Sequence, residues 1–141
     1  YHRDAYFVSH IYRSVRRHTT SYFPVFFYQF SHVGEVGVAA EPGVKKTGAA
    51  HSDELAYLFP REGRVLEGRD AVVQENLIRI WTNFVKYLNP SPTGSNPHWG
   101  QAELSALRVL DISHQLQMTS FPHTKEAHMW DDIYDKYYYN R

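Results

Sequence analysis

The first apolar stripe of the chain follows the spacing of an α-helix. Apolar side chains recur at Val8, Ile11, Tyr12 and Val15, at intervals of three and four residues, and Asp4 stands where a capping residue is expected. Three arginines occupy the opposite side of the helical wheel. The pattern predicts an amphipathic helix that begins at Asp4 and buries one face.

After Pro24 the pattern changes to a continuous run. Residues 25–30 are Val-Phe-Phe-Tyr-Gln-Phe, β-branched or aromatic with almost no polar alternation, which is typical of a strand covered on both faces. Residues 33–50 then carry several glycines and a proline. They predict a loop, which ends on Gly-Ala-Ala immediately before His51.

The second half of the chain contains the clearest helix. Residues 70–88 keep the helical period over about five turns, and Asn89-Pro90 stops them. Its apolar positions are Val73, Leu77, Ile80, Trp81, Phe84, Val85 and Leu88. Residues 89–100 hold three prolines and two glycines and predict a surface loop.

Two more elements complete the pattern. Residues 107–112 predict a short strand, and Thr124 is placed to cap a last helix. The apolar face of that helix is Trp130, Ile133, Tyr134 and Tyr137. The order helix, strand, helix, strand, helix indicates an α/β protein with an incomplete sheet, because two strands alone do not make a stable one. We expect the two strands to be neighbours and the chain to be part of something larger.

Composition excludes several function classes. The 141 residues carry no net charge, so there is no basic footprint for nucleic acid and no polybasic membrane anchor, and no apolar run is long enough to cross a bilayer. Without cysteine there is neither a disulfide framework nor a thiolate metal site. The chain opens on Tyr rather than Met and lacks a secretory leader pattern, which indicates a processed chain or a fragment.

Nine histidines raise the question of a metal site. No His-Glu-x-x-His is present, and His123 and His128 are five apart, which does not place them on one helical face. We therefore expect no metal and no cofactor.

His51 differs from the other histidines in its setting. Small residues precede it and Ser-Asp-Glu-Leu follows it, an acidic start suited to a short helix. Ser52 and Asp53 do not complete a triad with it, since a histidine must lie between nucleophile and acid and adjacent side chains diverge. From these residues alone, a functional and a surface histidine both remain open.

A family resemblance extends these observations. Residues 48–59, Gly-Ala-Ala-His-Ser-Asp-Glu-Leu-Ala-Tyr-Leu-Phe, resemble the catalytic-histidine motif of type-B carboxylesterases and cholinesterases, in which a glycine precedes and an acid follows the histidine by three residues. Residues 25–31 are similar to the aromatic strand before that loop. Asp4 and Phe7 match the family's Asp-x-x-Phe helix start.

Landmarks downstream of the histidine agree with the same family. Residues 81–90 resemble its Trp-x-x-Phe-Ala-x-x-Gly-Asn-Pro element, and Trp99 follows at the usual distance. Val85 and Leu88 replace the small residues usual there, a departure we expect to affect packing more than chemistry. Residues 109–112 and 129–134 look like the family's final strand and C-terminal helix. The resemblance is closest to insect carboxylesterases and juvenile-hormone-esterase-like proteins.

The resemblance implies a fold and an activity. Residues 1–141 would be the C-terminal portion of an α/β-hydrolase that cleaves small-molecule carboxylic esters, with His51 as the catalytic general base. Glu54 would be a buried carboxylate behind His51 or simply an acid favoured at a helix start, and the two interpretations remain open. The family's Gly-x-Ser-x-Gly nucleophile segment and its Gly-Gly oxyanion segment are not in the sequence.

Several alternatives follow from these missing segments. We expect the nucleophile, the acid and the oxyanion hole before Tyr1, so that the chain needs the preceding part of its own domain and is inactive alone. A non-catalytic, cholinesterase-like adhesion protein is the alternative, since fold does not imply function. An independent helical module is disfavoured by the strand at residues 25–30. Both secreted and cytoplasmic locations are compatible with the family.

Overall fold

The computed structural model describes residues 3–43, 45, 47–95 and 97–139. The elements are a π-helical turn at Asp4–Val8, α1 (Ser9–His18), β1 (Tyr28–Phe30), a 3-10 turn at Val38–Ala40, α2 (Leu55–Leu58), α3 (Gly68–Tyr87), β2 (Arg108–Ile112), β3 (Gln117–Ser120), α4 (Thr124–Tyr134) and a π-helical turn at Asp135–Tyr139. None of the described helices combines the length and the apolar character needed to span a membrane. The chain divides into two compact units.

The strands form one sheet in the order β1-β2-β3. β1 runs parallel to β2, with Tyr28 opposite Leu110 and Phe30 opposite Ile112, so the expected pairing of the two strands is confirmed. The expected strand over residues 25–30 is shorter than predicted, because the regular strand begins only at Tyr28. β1 lies at an edge of the described sheet with its residues half-buried, as expected of a strand whose other neighbours are not in residues 1–141.

The third strand was not predicted. β3 follows β2 after a four-residue turn at residues 113–116, in which the Ser113 hydroxyl donates to the Gln115 carbonyl at 2.8 Å. So short a connection requires the two strands to run antiparallel. Gln117, Thr119 and Ser120 make the segment too polar for the apolar pattern to have revealed it.

The first unit, residues 1–27, 101–109 and 119–141, is built around an aromatic core. The buried residues of this core are Tyr12, Val15, Phe27, Ala102, Val109, Phe121 and Ala127. Tyr12 on α1 stacks on Phe121 with ring centroids 5.7 Å apart. The predicted face of α1 is correct at Tyr12 and Val15, but Ile11 is half exposed and Ser9 is buried instead. Asp4 is inside the first helical turn and pairs with Arg3 rather than capping the helix.

α4 meets α1 mainly through a carboxylate. Asp131 is buried and accepts hydrogen bonds from Arg13 at 2.6 Å and Arg16 at 2.7 Å. This network draws the arginines towards α4 and places Asp131 on the buried side. The predicted apolar face of α4 is correct only in part, because the Tyr134 ring lies 5.4 Å from the His10 ring of α1, whereas Tyr137 is exposed.

The predicted cap of α4 is also wrong. Thr124 is the first residue of the helix, and its hydroxyl donates to the Phe121 carbonyl at 2.9 Å. His123 occupies the cap position without a side-chain capping bond.

The second unit, residues 28–100 and 110–118, buries one face of α3 from Asp70 to Ile80. Its fully buried apolar side chains include Tyr57, Val73, Leu77, Leu110 and Ile112. Towards its C-terminal end α3 contacts β1 through Trp81, whose ring meets the Tyr28 ring edge-on at 6.2 Å. Tyr28 makes a similar edge contact with Trp99 at 6.1 Å. The loop after α3 is thereby fixed against the sheet at Trp99, which is buried, whereas the sequence predicted only a surface loop.

We expected Leu88, at the end of α3, to affect side-chain packing, but its effect is on the backbone conformation. Its side chain is 70% exposed, and its φ of 52° is left-handed, while its amide donates to the Phe84 carbonyl at 2.8 Å. The cost of the leucine is therefore conformational, because glycine adopts this backbone conformation without a Cβ penalty.

We expect Leu88→Gly to raise the free energy of unfolding by about 0.5–1 kcal/mol, the left-handed penalty less the extra entropy of a glycine in the unfolded chain. The matched variant Tyr87→Gly, one residue earlier and inside the helix, should lower it by about 1 kcal/mol. Urea unfolding of both variants measures the difference, and a Leu88→Gly protein less stable than the wild type would contradict this account of the C-cap.

Candidate active site

His51 lies in a tight turn that connects the long loop to α2. The Asp53 amide donates to the Ala50 carbonyl at 3.2 Å, which closes the turn around His51 and Ser52. Ser52 has a φ of 70°, whereas the φ of His51 is not positive, and these signs are those of a type II turn. The His51 side chain is exposed at the corner of this turn.

The carboxylate of Asp53 holds the turn from the inside. Asp53 is 2% exposed, and one of its oxygens accepts from the Ala50 amide at 2.7 Å. The other accepts from the Val38 amide at 2.6 Å. One buried side chain thus ties the residue before His51 to a second point of the loop, more than ten residues earlier in the sequence.

Gly37 makes room for this carboxylate. A Cβ on Gly37 would lie 2.5 Å from an Asp53 oxygen, and the φ of Gly37 is +88°. Both facts require glycine, since a side chain would be strained and would collide with a buried charge. Sequence reasoning considered Asp53 only as an unsuitable triad acid and Gly37 only as a loop residue, and no local pattern indicates that the two would meet.

A second buried carboxylate, Asp70 near the start of α3, anchors the beginning of the same loop. Its Oδ1 lies 2.6 Å from His32 Nε2 and accepts from the Tyr57 hydroxyl at 3.2 Å, and its Oδ2 accepts from the Glu35 amide at 2.9 Å. A Cβ on Gly34 would come within 2.0 Å of Asp70 Oδ1 and 2.3 Å of the Tyr57 hydroxyl. The loop therefore approaches this cluster as closely as a glycine permits.

The electrostatics of the cluster follow from its burial. Burial raises the pKa of Tyr57, and the adjacent Asp70 carboxylate raises it further, so Tyr57 remains a hydrogen-bond donor. Burial also acts to raise the pKa of Asp70, but the hydrogen bonds from His32, the Glu35 amide and Tyr57 outweigh it and lower that pKa below its usual value. Asp70 is held as the anion to which its three partners are directed.

Glu54, the other candidate from the sequence, directly precedes α2. It is half-buried and makes no side-chain capping bond at the helix start. The pKa of Tyr28 on β1 is raised by burial and, secondarily, by the charge of Glu54. The carboxylate of Glu54 therefore lies within electrostatic reach of the sheet, and its role beside His51 stays a prediction.

An open groove of about 690 Å³ lies beside the same loop. Apolar side chains of α2 and the loop form much of its lining, including Val36, Leu55 and Phe59, and Ser52 of the histidine turn also contributes. Arg64 at its rim donates to the Glu35 carbonyl at 2.7 Å. Within the described ranges, no three histidine, aspartate or glutamate side chains are grouped so as to hold a metal ion.

Comparison with known proteins now identifies the family of the chain. The model of the carboxylesterase family matches residues 1–130. The chain belongs to the carboxylesterase family. The resemblance drawn from the sequence motifs is thus confirmed, and the matched region includes the turn of His51 and both buried carboxylates.

Curated relatives agree with this assignment. The fatty acyl-CoA hydrolase precursor, medium chain, of Anas platyrhynchos is 31% identical over 112 residues, which is 77% of this chain and 19% of that protein. Juvenile hormone esterase of Tribolium castaneum is 31% identical over 102 residues, covering 64% of this chain and 17% of the relative. The chain therefore spans about a fifth of the length of these relatives.

A solved structure supports the fold. Juvenile hormone esterase from Manduca sexta, crystallised with OTFP covalently attached, superimposes with a TM-score of 0.80 at 24% identity, over 94% of this chain and 27% of that one. This similarity confirms the expected fold class, α/β with an α/β-hydrolase architecture.

Asp70 gives the stability of this carboxylesterase segment a specific pH dependence. Because its pKa is lowered by folding, the carboxylate contributes stability above its ordinary pKa of 3.8, and the contribution disappears as the pH falls through the lowered value. We expect Asp70→Asn to be less stable than the wild type at about pH 6, with a gap that narrows towards about pH 3. Urea unfolding of the protein encoded by the complete reading frame measures the gap across this pH range.

Asp132→Asn, at an exposed position of α4, is the matched control and should leave the unfolding free energy within about 0.5 kcal/mol of the wild type throughout. A gap for Asp70→Asn that stays constant with pH would show that the carboxylate charge does not act as described.

Proposed function

We propose that this chain carries the general-base histidine, His51, of a serine carboxylesterase whose nucleophile, triad acid and oxyanion hole lie outside residues 1–141. The observation that carries the proposal is the placement of His51: its imidazole is exposed at the corner of a turn whose backbone is fixed by a buried carboxylate. Family membership supports it, and the sequence around the turn has the form of the family's histidine motif.

The chemistry requires little more of this chain than a well-placed imidazole. The serine hydroxyl gives its proton to His51 as its oxygen bonds to the ester carbonyl carbon, and His51 returns that proton to the departing alcohol as the carbon–oxygen bond breaks. A water then repeats the sequence on the acyl-enzyme and releases the acid and the serine. A carboxylate on the second ring nitrogen would fix the tautomer of His51, and backbone amides would hold the oxyanion.

The substrate class we propose is a carboxylic ester of a small molecule. The names of the relatives describe a hydrolase of fatty acyl-CoA and an esterase of juvenile hormone. Those names describe the relatives, and here they support only the class of reaction, cleavage of an acyl group by water.

The direct test uses the whole protein, meaning the product of the complete reading frame that encodes this chain. We expect His51→Ala to reduce kcat on an aryl ester by about a thousandfold or more while the melting temperature is unchanged, because the proton acceptor is lost and the fold is not. His114→Ala, an exposed histidine in the turn between β2 and β3, is the matched control and should retain full turnover.

Two outcomes would contradict the proposal. Retention of more than about a tenth of wild-type kcat by His51→Ala would remove His51 as the base. A folded wild-type protein that neither hydrolyses aryl esters nor reacts with a fluorophosphonate would instead favour the non-catalytic, adhesion-type alternative.

Residues 1–141 expressed alone should be inactive and poorly stable. Without a nucleophile or an oxyanion hole, His51 offers only the weak general-base catalysis of free imidazole. The aromatic segment at residues 25–30 ends in β1, an edge strand of the described sheet, and an apolar run of this kind at an edge favours aggregation. Hydrolysis is compared with an equal concentration of imidazole, and light scattering reports the oligomeric state.

A monodisperse, cooperatively melting monomer with turnover well above that of imidazole would overturn this expectation. It would require a nucleophile within the chain, and Ser31 and Ser113 would be the first positions to replace.

A further inference from the structure

We infer that Asp53 is a positioning residue for His51, acting through the backbone of the loop rather than on the substrate. The inference rests on the proposed function, because it assigns a role to Asp53 in the reaction for which His51 is the base. It differs from a general stabilising role in predicting a loss of kcat in molecules that remain folded.

Two hydrogen bonds between Ala50 and Asp53 enclose His51. Asp53 accepts from Ala50, and only one peptide unit separates the Ala50 amide from the Cα of His51. With the Asp53 amide bonded back to the Ala50 carbonyl, the turn is closed by two bonds between the same two residues. Loss of the carboxylate would remove one of the two hydrogen bonds that join Ala50 and Asp53 across His51.

The second oxygen of the Asp53 carboxylate bonds to a distant part of the loop, at Val38. The Val38 amide donates to Asp53 Oδ1 at 2.6 Å. Because Gly37 has no Cβ, the chain can approach the same oxygen. The histidine turn is thereby tied to a separate part of the loop. This tie limits rotation of the whole turn. A displacement of about 1 Å in a catalytic group is enough to cost roughly a hundredfold in rate.

The two backbone donors at this site require a carboxylate at position 53. Two amide donors converge on two oxygens at a site that is 2% exposed. Asparagine has the same shape but only one acceptor oxygen, so its NH2 group would face one of the backbone donors, and a buried donor left unsatisfied costs about 1–3 kcal/mol. Asp53→Asn therefore breaks one tie to the turn and leaves the size of the side chain unchanged.

The strain at Ser52 is consistent with a turn held in place by its surroundings. Ser52 has a φ of 70°, a conformation that is unfavourable for residues other than glycine. Such conformations persist where neighbouring interactions determine the backbone, and the Asp53 carboxylate supplies those interactions here.

The test measures kcat, KM and the rate of fluorophosphonate labelling for the whole protein and for its His51→Ala and Asp53→Asn variants, at a temperature where circular dichroism shows each to be folded. We expect Asp53→Asn to lower kcat roughly tenfold to a hundredfold, with KM within about threefold of the wild type and labelling slowed in parallel with kcat. A purely structural role would lower the melting temperature and leave kcat per folded molecule unchanged.

A second pair of variants tests the contact between the Asp53 carboxylate and the loop at Gly37. This pair replaces the first test if Asp53→Asn does not fold. Gly37→Ala places a Cβ against the carboxylate, whereas Gly43→Ala, at a φ of +83° in the same loop, meets nothing within 4 Å. Both substitutions place a side chain at positive φ, with the greater backbone strain at Gly37, whose ψ is −174°, and only the first disturbs Asp53. We expect Gly37→Ala to lower kcat roughly tenfold or more and Gly43→Ala to leave it unchanged.

The outcomes separate this inference from the proposed function. If His51→Ala keeps its turnover, the assignment of the base fails whatever Asp53 does. If His51→Ala is inactive while a folded Asp53→Asn keeps kcat within about threefold of the wild type, the positioning role alone is overturned. Equal effects of Gly37→Ala and Gly43→Ala would overturn it as well.

Discussion

The interaction on which the candidate site depends is a buried carboxylate that accepts two backbone hydrogen bonds. Asp53 is removed from water, and a buried charge is tolerated only where its hydrogen-bonding capacity is filled. The amides of Ala50 and Val38 donate one hydrogen bond to each of its oxygens, and Gly37 permits the approach. The course of the loop, the closed turn and the exposed corner at His51 all follow from satisfying that one group.

Asp70 performs the same task at the start of the loop. Its partners come from three places, His32 after β1, the Glu35 amide in the loop and Tyr57 on α2, so that one carboxylate on α3 fixes where the chain leaves the sheet. A long loop costs conformational entropy to order, and the hydrogen bonds to Asp53 and Asp70 offset part of that cost together with the burial of Val36. The turn of His51 is thereby held in a defined conformation, which the proposed role of His51 requires.

How much the sequence could predict depended on the range of the interactions. α3 and the strands β1 and β2 were predicted because periodicity and β-propensity are local. The motif around His51 was noticed because it is contiguous in the sequence, and the catalytic role of His51 stays a prediction. The buried faces of α1 and α4 were partly wrong, since Asp131 draws Arg13 and Arg16 across more than a hundred residues of sequence. The burial of Asp53 and Asp70 was not predicted for the same reason. A carboxylate on a hydrophilic turn or at a helix start gives no sign of burial until its distant partners are known.

The measurement that tests the account most directly is a crystal structure of the whole protein after reaction with a fluorophosphonate. The account requires the His51 ring nitrogen to lie roughly 3 Å from the oxygen of the modified serine, with Asp53 still bonded to the amides of Ala50 and Val38. A modified serine whose oxygen is bonded to a different histidine, with the His51 imidazole directed to solvent, would contradict it.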